Sequence, residues 1–398
     1  MKIPYRVLHV IDHLGTGGAQ EVVCQLVKYS RRQFFQPEVL TLRGYGHYWD
    51  ILRDWGIPIH CLFPYELEGF KYYGGLYAHM LTRLFLFFSQ KSYDLVHAHL
   101  LWSIMLATPM AALFGAPVRV NHEQVYDFAR HSLGREFFVY NSWLRHLSNR
   151  LSHHIIAGSN SIRNYLCEVE KVPASKVSLI YNGVDLEQLD PRMTKRERTK
   201  WRKTWGIPRD ALVVGGIGRL DPQKNFPMFL EVAAEVSARF PQAVFVIAGD
   251  GEDRAKLEEL TRKLGLEEKV RFLGFVKELR ELYLAMDVLL FPSLFEGTPL
   301  TIFGALAVGL PVVASRVDGI AETLRDGQDA FLAPPEDKEL FVDQVCRLLE
   351  DRKLAQSLAR TGQETVYRSY SAEAMVRQVE EVYLRLLEPR RSASHFQK

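Results

Sequence analysis

The stretch VLLFPSLFEGTPLTIFGALAVGLPVVAS, residues 288–315, contains two apolar runs separated by a polar loop and a run of small residues. It predicts a strand, a tight loop carrying Glu296, a short helix and a second strand. In open α/β sheets ligands bind at the carboxyl ends of strands, where this loop lies. We expect Pro299 in the first helical turn, with the amides of Leu300 and Thr301 open to an anion. This favours a sugar joined to a diphosphate, although an ordinary crossover with a capping Glu gives the same pattern.

The composition is that of an ordinary globular protein, with 47% apolar and 24% charged residues among 398. That length predicts two domains. The net charge of +3 is compatible with anionic substrates or anionic lipid but is too weak to indicate nucleic-acid binding. Four scattered cysteines, without the spacing of a zinc or redox motif, are typical of a reduced, cytoplasmic protein. The uncharged run at residues 100–118 contains two prolines and a glycine, so we interpret it as a buried helix and strand.

Strand and helix signals alternate along the whole chain, and the alternation restarts at ALVVGGIGRL, residues 211–220. This predicts an α/β fold of two Rossmann-like domains, each with a parallel sheet, facing across a cleft. We expect the first domain at residues 1–188 and the second at 189–370. Residues 371–398 hold a last helix, which packs outside the second domain or crosses back to the first, and a tail.

Glycines and histidines mark the strand ends of the first half. Gly17 and Gly18 follow the first strand and permit either close approach of a ligand or simply a tight turn. His97, His99 and His122 lie at or near the ends of two successive strands. His122, within NHE, is the strongest catalytic candidate, whereas a single strand-end histidine is more often structural. No carboxylate or cysteine shares metal-ligand spacing with these histidines, so we expect no metal site.

GIGRLDPQKN places Arg219 just after a strand and Lys224 five residues later, around an Asp221-Pro222 turn. Two cations at the carboxyl end of a strand suit a phosphate, because Arg can bind two oxygens while Lys supplies a point charge. A surface Arg–Asp turn is the alternative. The charged run MTKRERTKWRKTWGIP, which opens the second half, is interpreted as a helix with a solvated face.

Aromatic residues alternate with Arg and His in residues 128–151. Such a segment can rest on an anionic membrane, with Arg135, Arg145 and Arg150 on lipid phosphates. A helix that packs its aromatic side chains on the core explains the pattern as well, and we favour that explanation slightly.

The motifs, taken together, resemble a known family. They are GGAQ, NHE, AGSNSI, NGVD, GRLDPQKN, AGDG, FLGFV, PSLFEGTPL and GLPVVAS, in this order over nearly the whole chain. Each is weak alone, but their order and spacing are specific. The chain resembles a family-four retaining glycosyltransferase of the GT-B fold, in the glycosyl transferases group 1.

The resemblance implies a nucleotide-sugar donor held mainly by the second domain and an acceptor held mainly by the first. The residues that it implies are catalytic His122, Arg219, Lys224 and Glu296, and donor-binding Gly17, Gly18, Gly218, Phe275, Val276, Gly297, Thr298, Pro299, Leu300, Thr301 and Gly304. The implied reaction is retaining and independent of metal and cofactor. A UDP-sugar is the first choice of donor.

The resemblance also implies a saccharide, lipid-linked or small-molecule acceptor, a role in cell-surface glycan synthesis, and a cytoplasmic protein, either free or peripheral on the inner face of the membrane. One position departs from the family. Its second glutamate, eight residues after the first, is implied to bind the ribose, and here it is Gly304. The alternative function is therefore a catalytically silent GT-B subunit that binds a partner or a nucleotide.

Overall fold

The computed structural model describes residues 3–63, 74–124, 134–277 and 279–395, and the chain forms two compact units. The first unit comprises residues 1–182 together with 372–398, and the second comprises residues 183–371. The first unit is thus closed by the C-terminal end of the chain. The sequence predicts boundaries at residues 188 and 370, a few positions from these.

The first unit is a seven-stranded parallel sheet flanked by helices, with strand order β3-β2-β1-β4-β5-β6-β7. Its elements before the second unit are β1 (Tyr5–Ile11), α1 (Gly18–Lys28), β2 (Phe35–Thr41), α2 (His47–Asp54), β3 (Ile59–Cys61), α3 (Gly74–Gln90), β4 (Leu95–His99), α4 (Leu101–Leu113), β5 (Val118–Glu123), α5 (Gly134–Leu151), β6 (His154–Ala157), α6 (Asn160–Asn164) and β7 (Val177–Leu179). The chain order reverses between β1 and β4, which is the switch point of this sheet.

The second unit repeats this plan with six parallel strands, in the order β10-β9-β8-β11-β12-β13. Its elements are α7 (Lys195–Thr204), β8 (Leu212–Ile217), α8 (Phe226–Arg239), β9 (Ala243–Ala248), α9 (Arg254–Lys263), β10 (Val270–Gly274), α10 (Leu279–Ala285), β11 (Val288–Phe291), α11 (Leu300–Ala307), β12 (Val312–Ser315), α12 (Asp318–Ala321), β13 (Phe331–Ala333), α13 (Lys338–Glu350) and α14 (Arg352–Ser369). Here the switch point lies between β8 and β11.

The apolar runs of the sequence become strands that helices cover on both faces. Every residue of β4, β9, β11 and β12 is buried, as expected for a parallel sheet between two helical layers. The predicted α/β fold with two parallel-sheet domains is confirmed. The uncharged run at residues 100–118 forms α4 and the first residue of β5, as predicted. Among the described residues, no helix combines the length and the hydropathy needed to cross a membrane.

Two features of the second unit differ from the sequence expectation. Strand β13 and helix α14 were not foreseen, because β13 has only three residues and α14 carries many charges. The charged helix α7 is also not simply solvated. Arg202 is 5% exposed, and its guanidinium donates to the Asp287 carboxylate and to the carbonyl oxygens of Ala285 and Ala211. These bonds fix α7 against α10 and β8.

The last helix, α15 (Ala372–His395), belongs to the first unit. Its Glu380 is 2% exposed and accepts hydrogen bonds from the Arg31 amide at 2.7 Å and from Arg31 Nε at 2.6 Å. Arg377, one turn earlier on the helix, donates to the same carboxylate at 2.9 Å. Tyr383 lies one turn further on and is also buried. The helix is therefore anchored by a buried charge with several donors.

Replacing Glu380 with Ala should free this helix and leave Arg31 and Arg377 without their shared carboxylate. We expect a loss of about 3 kcal/mol in the free energy of unfolding, at the lower end for a broken buried pair because both arginines are partly exposed. Urea denaturation measures the loss, and hydrogen exchange should rise in α15. The control is Glu373→Ala, which removes an exposed partner of Arg377 and should cost less than about 0.5 kcal/mol. Equal losses in both variants would contradict this anchor.

Candidate active site

The candidate site lies at the switch point of the second unit, where β8 and β11 are neighbours. The loop after β8 carries Gly218, Arg219 and Lys224, and the loop after β11 carries Glu296. Because parallel strands place their carboxyl ends at one edge, the two loops meet there. The Leu294 amide donates to the Gln223 carbonyl at 2.8 Å, and Gln223 Nε2 donates to the Phe295 carbonyl at 2.9 Å. The two loops are thus joined by one main-chain hydrogen bond and by one side-chain hydrogen bond to the main chain.

Lys224 and Glu296 form an ion pair at the centre of this edge. Lys224 Nζ donates to Glu296 Oε1 at 2.5 Å, and the side chains are only 16% and 8% exposed. Lys224 Nζ also lies 4.9 Å from the centroid of the Phe291 ring, which offers it a cation–π contact. The pair therefore presents a carboxylate and an ammonium group side by side, at one fixed place.

Arg219 lies five residues before Lys224 in the same loop and has a more exposed side chain. Its Nε donates to Asp221 Oδ2 at 2.5 Å, and 56% of the Arg219 side chain is exposed. Asp221 also caps the single 3₁₀ turn at Pro222–Lys224 by accepting from the Lys224 amide. The Arg–Asp turn that we weighed as an alternative is therefore present. In this turn the Asp221 carboxylate holds the guanidinium of Arg219 through Nε.

Two glycines allow the main chain to pack closely behind these loops. A Cβ at Gly319 would lie 1.6 Å from the Gly297 carbonyl oxygen, so only glycine fits behind the Glu296 loop. A Cβ at Gly249 would lie 1.9 Å from the Gly218 carbonyl oxygen, and Gly249 has a φ of +136°. Gly319 was not singled out from the sequence and Gly249 entered only as part of the motif AGDG, because close approach to a distant segment leaves no local signal.

The start of helix α11 differs from the expectation. Pro299 is the N-cap residue rather than a residue of the first turn, and the helix begins at Leu300. The Leu300 amide donates to the Thr298 carbonyl at 3.0 Å, so it is not open to an anion as we expected. Thr298 and Leu300 thus form a tight turn at the start of the helix. The predicted phosphate contact of the Leu300 amide requires this hydrogen bond to break.

Gly304 lies buried in α11 with Tyr283 of helix α10 against it. A Cβ at Gly304 would lie 2.9 Å from the Tyr283 hydroxyl oxygen and 3.0 Å from a ring carbon. That hydroxyl donates to the Thr301 carbonyl at 3.1 Å. Tyr283 therefore fills the space into which a side chain at position 304 would project. Sequence analysis did not identify Tyr283, because its contact with Gly304 comes from packing between helices.

The remaining donor residue candidates occupy two different units. Phe275 follows β10 in the second unit and is 55% exposed, whereas Val276 packs partly buried on the core of that unit. Gly17 and Gly18 lie in the first unit, where Gly18 begins α1. A Cβ at Gly17 would lie 2.4 Å from Oε1 of the buried Gln20. A side chain at position 17 would therefore have to displace the end of the Gln20 side chain.

The His122 side chain is buried inside the first unit, whereas the sequence placed it at the ligand-binding edge of the sheet. It is 0% exposed, its ring stacks on His97 with centroids 5.4 Å apart, and burial lowers its pKa to about 3. His99 lies 5.5 Å from it, centroid to centroid. The side chain is thus neutral and enclosed, and its predicted contact with a sugar remains a prediction.

Residues 128–151, which we weighed as a membrane-binding segment and slightly favoured as a helix packed on the core, are described only in part. Residues 128–133 and the Arg135 side chain lie outside the described residues. Arg145 is 8% exposed, with Nε 2.6 Å from Glu170 Oε1 and Nη2 3.4 Å from Glu123 Oε1. It therefore supports the interior of the first unit and offers no charge to a lipid surface. Trp143, at 67% exposure, and Arg150 are the exposed residues of interest in the described part of this helix.

Comparison with known proteins gives the chain its class. Two parallel-sheet α/β units are the fold of the GT-B glycosyltransferases, as the solved structures that this chain resembles show. Residues 197–365 match the sequence model of the family described as "Glycosyl transferases group 1", and residues 16–188 match that of "Glycosyltransferase Family 4". The chain belongs to the group 1 glycosyltransferases.

Individual relatives agree with this family. The UDP-Gal:alpha-D-GlcNAc-diphosphoundecaprenol alpha-1,3-galactosyltransferase of Escherichia coli is 29% identical over 309 residues, which cover 76% of this chain and 78% of the relative. An uncharacterized glycosyltransferase of Methanocaldococcus jannaschii is 30% identical over 242 residues, 60% of this chain and 62% of the relative. The crystal structure of Anabaena HepE in complex with UDP-glucose has the same fold, with a TM-score of 0.81, 21% identity and coverage of 95% and 99%.

The contact between Gly304 and Tyr283 generates a prediction. Gly304→Ala should improve helix propensity by about 1 kcal/mol but overpack the Tyr283 ring at a cost of about 1 to 3 kcal/mol, for a net loss of up to about 2 kcal/mol in the free energy of unfolding. In a Tyr283→Ala background the same change should lose nothing, because the ring is gone. Urea denaturation of the four proteins of this double-mutant cycle measures the coupling. Additive effects would show that Tyr283 does not restrict position 304.

Proposed function

We propose that this protein transfers a sugar from a nucleoside diphosphate sugar to an acceptor hydroxyl with retention of the anomeric configuration. The bond between the anomeric carbon and the β-phosphate oxygen breaks, and a bond to the acceptor oxygen forms on the same face of the sugar. The departing phosphate takes the proton of the acceptor hydroxyl. The observation that carries the proposal is the Lys224–Glu296 pair, a fixed cation and carboxylate at the switch point of the second unit.

The two cations of the site act on the leaving group. Lys224 and Arg219 neutralise the charge that grows on the diphosphate as its bond to the sugar breaks. Because Lys224 is held by Glu296 and Arg219 by Asp221, both cations are in place before the charge develops. Preorganised donors of this kind contribute about 3 to 4 kcal/mol each to a transition state. We propose on this basis that the transfer needs no metal ion on the diphosphate.

Glu296 and the exposed aromatic ring at the end of β10 give the donor its orientation. The Glu296 carboxylate can accept hydrogen bonds from sugar hydroxyls while it remains beside Lys224. The exposed Phe275 ring offers a face on which a base can stack. UDP is the first choice of nucleotide, since the E. coli relative is named for a UDP-galactose donor. His122 stays in the proposed site on the family resemblance, and contact with the sugar requires its ring to leave its buried position.

The E. coli relative also guides the choice of acceptor. Its name specifies a sugar linked to diphosphoundecaprenol, so we propose a lipid-linked saccharide acceptor and a role in cell-surface glycan synthesis. Such an acceptor lies at a membrane surface, which a protein can approach through exposed aromatic and cationic residues. The described candidates for that contact are Trp143 and Arg150 on helix α5.

Gly304 favours a second candidate function, a GT-B subunit that is catalytically silent. Residue 304 is a glycine, so no carboxylate is available there for the ribose, and a buried Tyr283 ring occupies the space beside it. Loss of a charged hydrogen bond costs about 1.5 to 3 kcal/mol of binding. A nucleotide could then bind weakly, or another group could bind its ribose. Assays of binding and of transfer distinguish the two functions.

Calorimetric titration with UDP, GDP, ADP and dTDP is the decisive test. We expect one nucleotide, UDP, to bind with a Kd near micromolar, about −8 kcal/mol. Arg219→Ala should weaken it by about 2 kcal/mol, roughly 30-fold, since a charged contact with phosphate is lost. Arg219 is largely exposed, so this variant should fold normally. The control is Arg360→Ala, an 81% exposed arginine elsewhere in the second unit, which should bind UDP unchanged.

The outcomes separate the candidate functions. Binding that depends on Arg219, together with release of UDP from a UDP-sugar and formation of a glycoside, supports the transferase. Binding without any transfer to a range of saccharide and lipid-linked acceptors favours the silent subunit. If no nucleotide binds, the site is tested again in Gly304→Glu combined with Tyr283→Ala, because the glutamate alone would meet the Tyr283 ring. Restored binding would show that the second carboxylate is indispensable.

Membrane contact is tested on vesicles. We expect wild-type protein to sediment with anionic phosphatidylglycerol vesicles, and Trp143→Ser combined with Arg150→Glu to weaken this binding several-fold. Arg145 is left intact, because a glutamate there would face two buried carboxylates. Arg360→Glu, the control, makes the same charge change on an exposed arginine of the second unit. Sedimentation that is unchanged in the double variant would remove α5 as the membrane-binding element.

A further inference from the structure

Four buried histidines gather at the switch point of the first unit. The parallel register pairs His9 of β1 with His97 of β4, and His99 of β4 with His122 of β5. Because side chains alternate along a strand, all four lie on one face of the sheet. His9 is 2% exposed and the other three are fully buried. Sequence analysis missed His9, since it lies inside a strand, far along the chain from the other histidines.

Three of these residues, His9, His97 and His99, form what we call the histidine cluster. One ring nitrogen from each lies within 4.8 Å of the others, and His9 Nδ1 is 3.2 Å from His99 Nε2. In a tetrahedral zinc site with Zn–N distances of about 2.0–2.1 Å, ligand nitrogens lie roughly 3.3 Å apart. The 3.2 Å between His9 Nδ1 and His99 Nε2, which is a hydrogen bond when no ion is bound, is close to this value, and a nitrogen of His97 lies within 4.8 Å of both.

His97 has the outer contact that metal-binding histidines commonly have. Its Nδ1 lies 2.5 Å from the hydroxyl oxygen of the buried Tyr383 on helix α15. This bond orients the ring. The other ring nitrogen, Nε2, has no hydrogen-bond partner among the described residues and is therefore available to a metal ion. A second contact that fixes the ring and its tautomer is typical of histidine ligands. Nδ1 of His99 is also buried without such a partner.

The chemistry of the cluster selects the kind of ion. Burial lowers the pKa of His9 to about 3 and lowers those of His97 and His99 well below 6.5, so all three rings are neutral at physiological pH. Neutral imidazole is the form that binds a metal. The cluster offers only nitrogen, which suits zinc and related transition metals rather than magnesium or calcium. The expectation of no metal assumed ligands close in sequence, whereas these ligands come from two strands.

We propose that His9, His97 and His99 bind a divalent transition-metal ion, Zn²⁺, in the core of the first unit. The ion joins β1 to β4 across the switch point and, through Tyr383, joins the sheet to helix α15. Water can complete the tetrahedron. Because the cluster is enclosed, the ion enters during folding, as in other structural zinc sites. This role is structural and separate from the transfer reaction proposed for the second unit.

The test is metal content after folding. The full-length protein is unfolded, stripped with chelator, refolded with Zn²⁺ in modest excess and dialysed, and bound zinc is measured by mass spectrometry. We expect about one zinc per chain in the wild type and none in His97→Ala. His79→Ala, which removes an exposed histidine of α3, should keep its zinc. Tyr383→Phe should lower the affinity for zinc roughly 10- to 100-fold, and a tyrosine that only packed against the sheet would not produce this loss.

Cobalt gives a second measurement that does not depend on any variant folding. Wild-type protein refolded with Co²⁺ should show the visible absorption of tetrahedral nitrogen-bound cobalt, and Zn²⁺ should displace it. Zinc should also raise the Tm of the wild type. Wild-type protein without bound zinc or tetrahedral cobalt would overturn the proposal, as would equal zinc in wild type and His97→Ala. Neither result depends on nucleotide binding, so the proposed transfer reaction stands or falls separately.

Discussion

Parallel pairing is the constraint on which both units depend. A parallel strand must be followed by a crossover, so neighbouring strands deliver their carboxyl ends to the same edge of the sheet. In the second unit this brings the loops after β8 and β11 together, and the Lys224–Glu296 pair forms between residues 72 positions apart. In the first unit the same rule brings His9 of β1 beside His97 of β4, 88 residues apart. In each unit, polar side chains from distant parts of the sequence meet at the switch point because neighbouring parallel strands end at the same edge of the sheet.

Much of this organisation could be predicted from the sequence. The apolar runs gave the strands, and Arg219, Lys224 and Glu296 were selected because each follows a strand end. Local pattern was sufficient there, because a strand end and its loop are adjacent in the chain. It was insufficient for Arg145, whose charge is neutralised by Glu123 and Glu170 from other elements. Partners in space, rather than neighbours in sequence, decided the environment of that arginine.

The same distinction explains the small errors at α11. The sequence predicted that Pro299 lies in the first helical turn and that the amides after it are open to an anion. In the structure Pro299 is the N-cap residue, and the Leu300 amide donates to the Thr298 carbonyl. Gly304 was recognised as a departure, whereas Tyr283, which fills the space beside it, was not. A missing side chain is visible in a sequence, but the residue that packs in its place is visible only in three dimensions.

The return of α15 has a consequence for how the protein is made. A ribosome releases the chain from its first residue onward, so β1 and α1 emerge long before the helix that covers them. Glu380 is synthesised 349 residues after its partner Arg31, and the whole second unit is synthesised between them. Since domains generally fold as they emerge, the second unit can be complete while the first still lacks its last helix. The amino-terminal half is therefore the last to mature, and premature termination near residue 371 would leave this unit without the helix that carries Glu380 and Tyr383.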